Sequence, residues 1–72
     1  MQNSLAYRRQ ERQWTQQALG ERVRVSRQTI ISIESGRYDP SLPLAFRLAE
    51  AFDCGVDELF TPEPHTDPSA AG

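Results

Sequence analysis

Three side chains with strong hydrogen-bonding groups lie close together near the middle of the 72-residue chain: Arg27, Gln28 and Ser32. A guanidinium can bond two acceptor atoms of guanine, and a carboxamide can bond a donor and an acceptor of adenine. Residues 28 and 32 are four positions apart, so an α-helix places them on one face. The residue types and their spacing therefore favour a short helix that could read bases, provided that this face points outward.

The apolar residues of the same segment indicate which face is buried. Ile30 and Ile33 are three positions apart and, with Glu34, fall on one side of a helix at 100° per residue. Gln28 and Ser32 then point roughly opposite, and Ile31 lies at the flank between the two faces. The alternative interpretation is an ordinary amphipathic helix whose polar face is only solvated.

Capping residues define the helices that must position this face. Ser26 is a suitable N-cap for a helix over residues 27–35, and Gly36 can end it in the left-handed conformation. Thr15 can cap a preceding helix over residues 16–23, in which Gly20 would allow close approach of the second backbone. Only three residues separate the two helices, as in a helix-turn-helix unit.

The rest of the chain predicts a single small domain of class all-α. Polar and apolar patterns indicate further helices over residues 3–13, 42–52 and 56–60, which gives five short helices and no strand. From Thr61 onward the chain contains three prolines and no large apolar residue. We therefore expect a compact domain over residues 1–60 and a disordered tail over residues 61–72.

The composition argues against several classes of protein. Cys54 and His65 are the single cysteine and the single histidine, too few for a disulfide or a zinc site. The sequence contains no paired carboxylates in an apolar setting and no glycine-rich phosphate loop, so we expect no enzyme activity, cofactor, metal or small-molecule ligand. No apolar run approaches the ~18 residues of a membrane span. We expect a cytoplasmic protein that does not bind a membrane.

The charge is unevenly distributed, although the formal net charge is −2. Residues 1–38 contain seven arginines and three glutamates, a net charge of +4, whereas residues 39–72 contain one arginine and seven acids, a net charge of −6. Screening acts over ~8 Å at physiological salt, so a basic face can act independently of an acidic one. The acidic total does not exclude an anionic partner.

The segment TQQALGERVRVSRQTIISIESGRYDPSLPLAFRLAEAF resembles the helix-turn-helix domain of the Xre/Cro and lambda-repressor family, and the resemblance covers roughly residues 3–60. It implies a five-helix fold whose third helix enters the major groove of double-stranded DNA. It also implies a transcriptional regulator, expected to be a repressor, that binds its operator as a homodimer. The alternative from another class is a protein-interaction module, such as an antitoxin-like partner of another protein.

Carried over by position, the resemblance implies a role for each matching residue. Arg27, Gln28 and Ser32 match base-reading positions, and Arg9 and Glu34 match an internal ion pair between the first and third helices. The positions implied to contact the DNA backbone are Gln16, Arg24, Thr29, Arg37 and Tyr38. Arg24 replaces a turn glycine of the family, which costs roughly 1 kcal/mol of strain. A phosphate contact could compensate for that strain.

Overall fold

Side-chain caps determine where the three central helices begin. The hydroxyl of Thr15 accepts a hydrogen bond from the Ala18 amide at 3.0 Å. The Ser26 hydroxyl accepts from the Thr29 amide at 3.2 Å, and the Ser41 hydroxyl accepts from the following helix in the same way. Each such cap contributes about 1 kcal/mol to helix stability. The predicted caps Thr15 and Ser26 are therefore confirmed, and Ser41 is a third cap of the same kind.

The computed structural model describes residues 2–61, so the predicted tail lies outside the described residues from position 62 onward. In chain order the elements are β1 (Gln2–Asn3), α1 (Leu5–Glu11), α2 (Gln16–Val23), α3 (Arg27–Glu34), α4 (Leu42–Ala51), α5 (Val56–Leu59) and β2 (Phe60–Thr61). The predicted all-α class with five helices is confirmed. None of the helices within residues 2–61 is long and apolar enough to cross a bilayer.

The prediction of no strand is wrong at the two ends of the described chain. β1 and β2 form an antiparallel pair in which Gln2 faces Thr61 and Asn3 faces Phe60. Phe60 was predicted to continue the last helix, and Thr61 was predicted to begin the disordered tail. A strand of two residues is too short to show an alternating pattern in the sequence. Its pairing also depends on contacts between residues that are distant in sequence.

The side chain of Asn3 connects this strand pair to the helices. Its Nδ2 donates a hydrogen bond to the carbonyl oxygen of Ile33 at 2.8 Å, and its Oδ1 accepts from the Leu5 amide at 3.1 Å. The Ser4 amide donates to the Leu59 carbonyl oxygen at 2.9 Å. The strand pair is thereby attached to the ends of α1, α3 and α5.

The helices enclose one apolar core, to which every helix contributes. Its largest fully buried side chains are Phe52, Leu5, Leu19, Ile30, Ile33, Leu48, Leu59 and Val23. Between α2 and α3 the backbones approach closely at buried Gly20, where an added Cβ would lie 2.7 Å from the Val25 carbonyl oxygen. The predicted reason for a glycine at this position is confirmed.

Each of the four turns between the helices contains one residue with left-handed backbone, namely Gln13, Arg24, Gly36 and Asp53. Arg24 has φ 65° and ψ 41°, so this arginine occupies the conformation predicted from the turn glycine of the family. Gly36 ends α3 with φ 80°, as predicted. Gln13 has φ 59°, and this residue ends the first helical segment at Glu11, earlier than the predicted residue 13.

Trp14 lies where α1, α2 and α4 meet. Its ring centroid is 5.4 Å from that of Phe52. The guanidinium carbon of Arg22 lies 4.1 Å from the Trp14 ring centroid, and that of Arg12 lies 5.7 Å from it. Arg12 also donates to the Phe52 carbonyl oxygen at 3.0 Å. These contacts hold the start of α2 against the end of α4.

Candidate nucleic-acid interface

The two faces of α3 are divided as the sequence predicts. Ile30 and Ile33 are fully buried in the core. Arg27 and Gln28 are exposed, and Ser32 is partly exposed. Helix α3 is therefore held by its apolar face, and the polar face is free to contact a partner.

A shallow depression on this outer side contains four of the predicted contact residues. Gln28, Ser32, Thr29 and Tyr38 line it together with Ser26. The hydroxyls of Ser26 and Thr29 lie 3.0 Å apart and share a hydrogen bond. The sequence predicted Ser26 only as an N-cap. That Ser26 also lines this depression could be found only in the fold. The depression combines amide, hydroxyl and phenol groups that can each bond a base edge or a phosphate.

The segment after α3 folds back onto the end of that helix. The backbone amides of Arg37 and Tyr38 both donate to the Ser32 carbonyl oxygen, at 3.0 and 3.2 Å. Tyr38 is 47% exposed, and Arg37 is exposed as well. These two bonds fix the loop beside Ser32, so its side chains extend the polar surface of α3.

A hydrogen-bonded network behind this surface connects the first three helices. Arg9 and Glu34 form an ion pair, with Nε 2.7 Å from Oε2 and Nη2 3.3 Å from Oε1. Arg9 also donates to the Trp14 carbonyl oxygen at 2.8 Å. The two side chains are only 12% and 8% exposed, so solvent weakens their attraction little. The network sets the position of α3 relative to α1 and α2.

Gln16 belongs to the same network, a role that its sequence position did not reveal. Its Nε2 donates to Oε1 of Glu34 at 3.1 Å. A carboxamide nitrogen carries two hydrogens, so one remains for another acceptor. Gln16 opens α2, where the backbone N–H groups of the first turn favour an anion. It can therefore contact a phosphate while still bonded to Glu34.

Arg24 does not line the depression on the outer side of α3. It is exposed and lines a second depression with Arg22, Arg47, Glu50 and Ala51. This depression shares no lining residue with the one formed by Gln28 and Ser32. The structure thus places four of the eight predicted contact residues in one depression and Arg24 in another.

The part of the chain that the structure describes contains no group of three or more His, Cys, Asp and Glu side chains placed to hold a metal ion. The polar surface of α3 instead consists of neutral hydrogen-bonding groups with flanking arginines. Such a surface is suited to recognising nucleic acid through hydrogen bonds and charge.

Comparison with known proteins supports this interpretation. The Helix-turn-helix family profile matches residues 5–59. An uncharacterized HTH-type transcriptional regulator of Methanocaldococcus jannaschii is 48% identical over 60 residues, covering 83% of this chain and 91% of that protein. One of Methanothermobacter thermautotrophicus is 60% identical over 43 residues, covering 60% of this chain and 62% of that protein.

A similar fold occurs in a solved structure. The crystal structure of a transcriptional regulator from Listeria innocua superimposes with a TM-score of 0.69 at 25% identity, over 99% of this chain and 72% of that one. The family profile alone covers well over half of the present chain. The chain belongs to the helix-turn-helix family of Xre and lambda-repressor-like regulators.

Proposed function

We propose that this protein is a sequence-specific DNA-binding transcriptional regulator that inserts α3 into the major groove of an operator. The observation that carries the proposal is the depression in which Gln28 and Ser32 lie opposite the buried Ile30 and Ile33. A side chain on the outer face of a well-anchored helix can reach base edges without disturbing the core.

Each residue of the surface has a proposed role. Arg27 and Gln28 read bases through bidentate hydrogen bonds, each contributing about 1–3 kcal/mol of discrimination, and Ser32 adds a further base contact. The residues proposed to bind the DNA backbone are Gln16, Thr29, Arg37 and Tyr38. Arg24 is not included, because its side chain lines the other depression.

We further propose that the regulator acts as a homodimer and represses transcription by occupying its operator. Support for self-association comes from an open groove of about 970 Å³ between α4 and α5. Phe46 and Leu42, which line it, are 58% and 64% exposed. Its other apolar lining residues include Ala45, Ala49, Val56 and Phe60. Two large apolar side chains beside small ones can pack against their symmetry mates in a two-fold dimer.

Sequence-specific DNA binding is tested with two duplexes, each titrated with wild type and two variants. Duplex from the region upstream of the protein's own gene is titrated alongside random duplex of equal length, for wild type, Gln28→Ala and Gln17→Ala. Gln17 is exposed on α2 and outside the proposed surface, so it is the matched control. We expect Gln28→Ala to weaken specific binding about tenfold or more and random binding little. Equal wild-type affinity for the two duplexes would contradict specific recognition.

The groove also favours a second candidate function, binding of another protein in the manner of an antitoxin. Its apolar lining is bordered by Glu50 and Asp57, and the side chains that line it include no basic residue. Sedimentation equilibrium of wild type and Phe46→Glu separates the two possibilities. A wild-type dimer that becomes a folded monomer in the variant supports the homodimer. If the wild-type protein is monomeric both free and on DNA, the homodimer is contradicted and binding of another protein is favoured.

A further inference from the structure

Three arginines converge at the end of α2 that is remote from Gln16. Arg22, Arg24 and Arg47 line one depression between the carboxyl end of α2 and the second half of α4. Glu50 is the one acidic residue of that lining, and Ala51 completes it. Three positive charges and one negative charge give this depression a local charge of +2.

Two of the three guanidinium groups, those of Arg22 and Arg47, are held in position by contacts of their own. Arg22 stacks on the Trp14 ring with its guanidinium carbon 4.1 Å from the ring centroid. Arg47 donates from Nε to the Val23 carbonyl oxygen at 3.0 Å, which leaves its two terminal amino groups for another acceptor. Arg24 is fixed through its backbone, because its amide bonds to the Gly20 carbonyl oxygen in the left-handed turn.

The contacts that hold these three arginines are made to an aromatic ring and to backbone atoms and not to a carboxylate. Like charges gathered in one place repel one another, and a bound anion relieves that repulsion. Guanidinium groups that are already positioned lose less conformational entropy when they bind a carboxylate or phosphate oxygen. The cluster therefore has the features of an anion-binding surface.

The position of the cluster favours a protein partner over the DNA backbone. The proposed phosphate-binding residue Gln16 lies at the opposite end of α2, about 10 Å away at 1.5 Å of rise per residue. A DNA strand carries one charge about every 3.4 Å of helix axis, so a strand running along this depression would also meet the Glu50 carboxylate. A flexible acidic peptide can bring some of its carboxylates to the arginines and turn the others away from Glu50, which the stiffer backbone of a duplex cannot do.

We propose that Arg22, Arg24 and Arg47 form a docking site for an acidic segment of another protein, accessible while α3 is bound to DNA. Only the accessibility on DNA rests on the proposed function. The anion site itself is a property of the free protein. Such a site gives a DNA-bound regulator a surface through which it can contact a second protein.

The experiment uses hexaglutamate peptide as the probe and the full chain at low salt. Arginine Nε–H resonances and backbone amides are followed by NMR, first for free protein and then with saturating duplex. We expect the largest shifts at Arg22, Arg24 and Arg47, with a common dissociation constant that duplex does not change. Equal or larger shifts at Arg27 and Arg37, or displacement of the peptide by duplex, would overturn the proposal.

Three variants, two single and one double, separate this site from the DNA surface by removing positive charge from exposed arginines. Arg24→Gln should weaken hexaglutamate binding about threefold to fivefold, and the double variant Arg24→Gln/Arg47→Gln about tenfold or more. Neither should change duplex affinity. Arg37→Gln should weaken duplex binding and leave peptide binding unchanged. Circular dichroism of each variant verifies that it is folded.

An effect of Arg24→Gln on DNA binding would contradict the docking proposal. If Arg24→Gln lowers duplex affinity and reduces the salt slope by about one unit, the cluster contacts phosphates and the docking proposal is wrong. If the protein binds no duplex at all, the proposed function fails. The peptide titration of the free protein then still decides whether the anion site exists.

Discussion

Replacing Gly20 by alanine tests the close approach of α2 and α3 on which the helix-turn-helix geometry depends. Intrinsic propensity favours the variant, because alanine stabilises a helix interior by about 0.8–1.0 kcal/mol relative to glycine. The new Cβ, however, would lie 2.7 Å from the Val25 carbonyl oxygen and 3.4 Å from two backbone atoms of Ser26. These atoms belong to the turn backbone, so no side-chain rotation can relieve the overlap.

The magnitude follows from the shift that the overlap requires. A carbon and a carbonyl oxygen need roughly 3.2 Å or more, so the turn must move by about 0.5 Å, at a cost typical of overpacking, about 1–3 kcal/mol. Because the overlap is with backbone atoms, we expect a cost in the upper part of that range, about 2–3 kcal/mol. After subtraction of the propensity gain, the expected net loss in the free energy of unfolding is about 1–2 kcal/mol. For a domain of this size that corresponds to a fall in Tm of roughly 4–16 °C.

Gly55 supplies the matched glycine-to-alanine control. The nearest atom to an added Cβ at Gly55 is a carboxylate oxygen of Asp57, an exposed side chain that can rotate away. Its φ of −83° also suits alanine, so Gly55→Ala should change stability by less than about 0.5 kcal/mol. Both variants are compared with wild type by urea unfolding followed by circular dichroism. A Gly20→Ala protein as stable as wild type would refute the steric argument.

Three further outcomes follow from the structure, each measured by urea unfolding. Arg24→Gly should raise the free energy of unfolding by about 1 kcal/mol, because glycine adopts the left-handed conformation without strain; no gain would contradict the strain argument. Glu34→Ala should lower it by about 2–3 kcal/mol, because it leaves the largely buried Arg9 guanidinium without its carboxylate, and Glu34→Gln should lose less. Asn3→Ala should lower it by about 1 kcal/mol through loss of the bonds to Ile33 and Leu5, and the Ser4 amide should exchange faster with solvent.

The sequence predicted the central helices well because their signals are local. Thr15, Ser26 and Ser41 each cap a helix within three residues of themselves, and the apolar spacing on α3 and α4 identifies the buried face without knowledge of the fold. The ends of the domain were predicted less well. Phe60 lies in a strand because its partner Asn3, at the other end of the chain, is brought beside it by packing that no local pattern encodes.

In the candidate site, too, features with local signals could be predicted and features that depend on tertiary packing could not. The outward position of Gln28 and Ser32 follows from the burial of Ile30 and Ile33 on the same helix, and the sequence was sufficient to infer it. The bond from Gln16 to Glu34 and the separation of Arg24 from the base-reading surface depend on how α2 packs against α3 and α4. Those contacts are tertiary, so they could be found only in the fold.

The strand pair at the ends of the described chain has a mechanical consequence. Because Gln2 faces Thr61 at its outer end and Asn3 faces Phe60 behind it, a pulling force applied to residues 2 and 61 would load these two pairs one after the other. Bonds loaded in sequence open at lower force than bonds loaded together in shear. Tension between the two ends would therefore unzip the strand pair first, and the force would then reach α1 and α5 before the anchored α3.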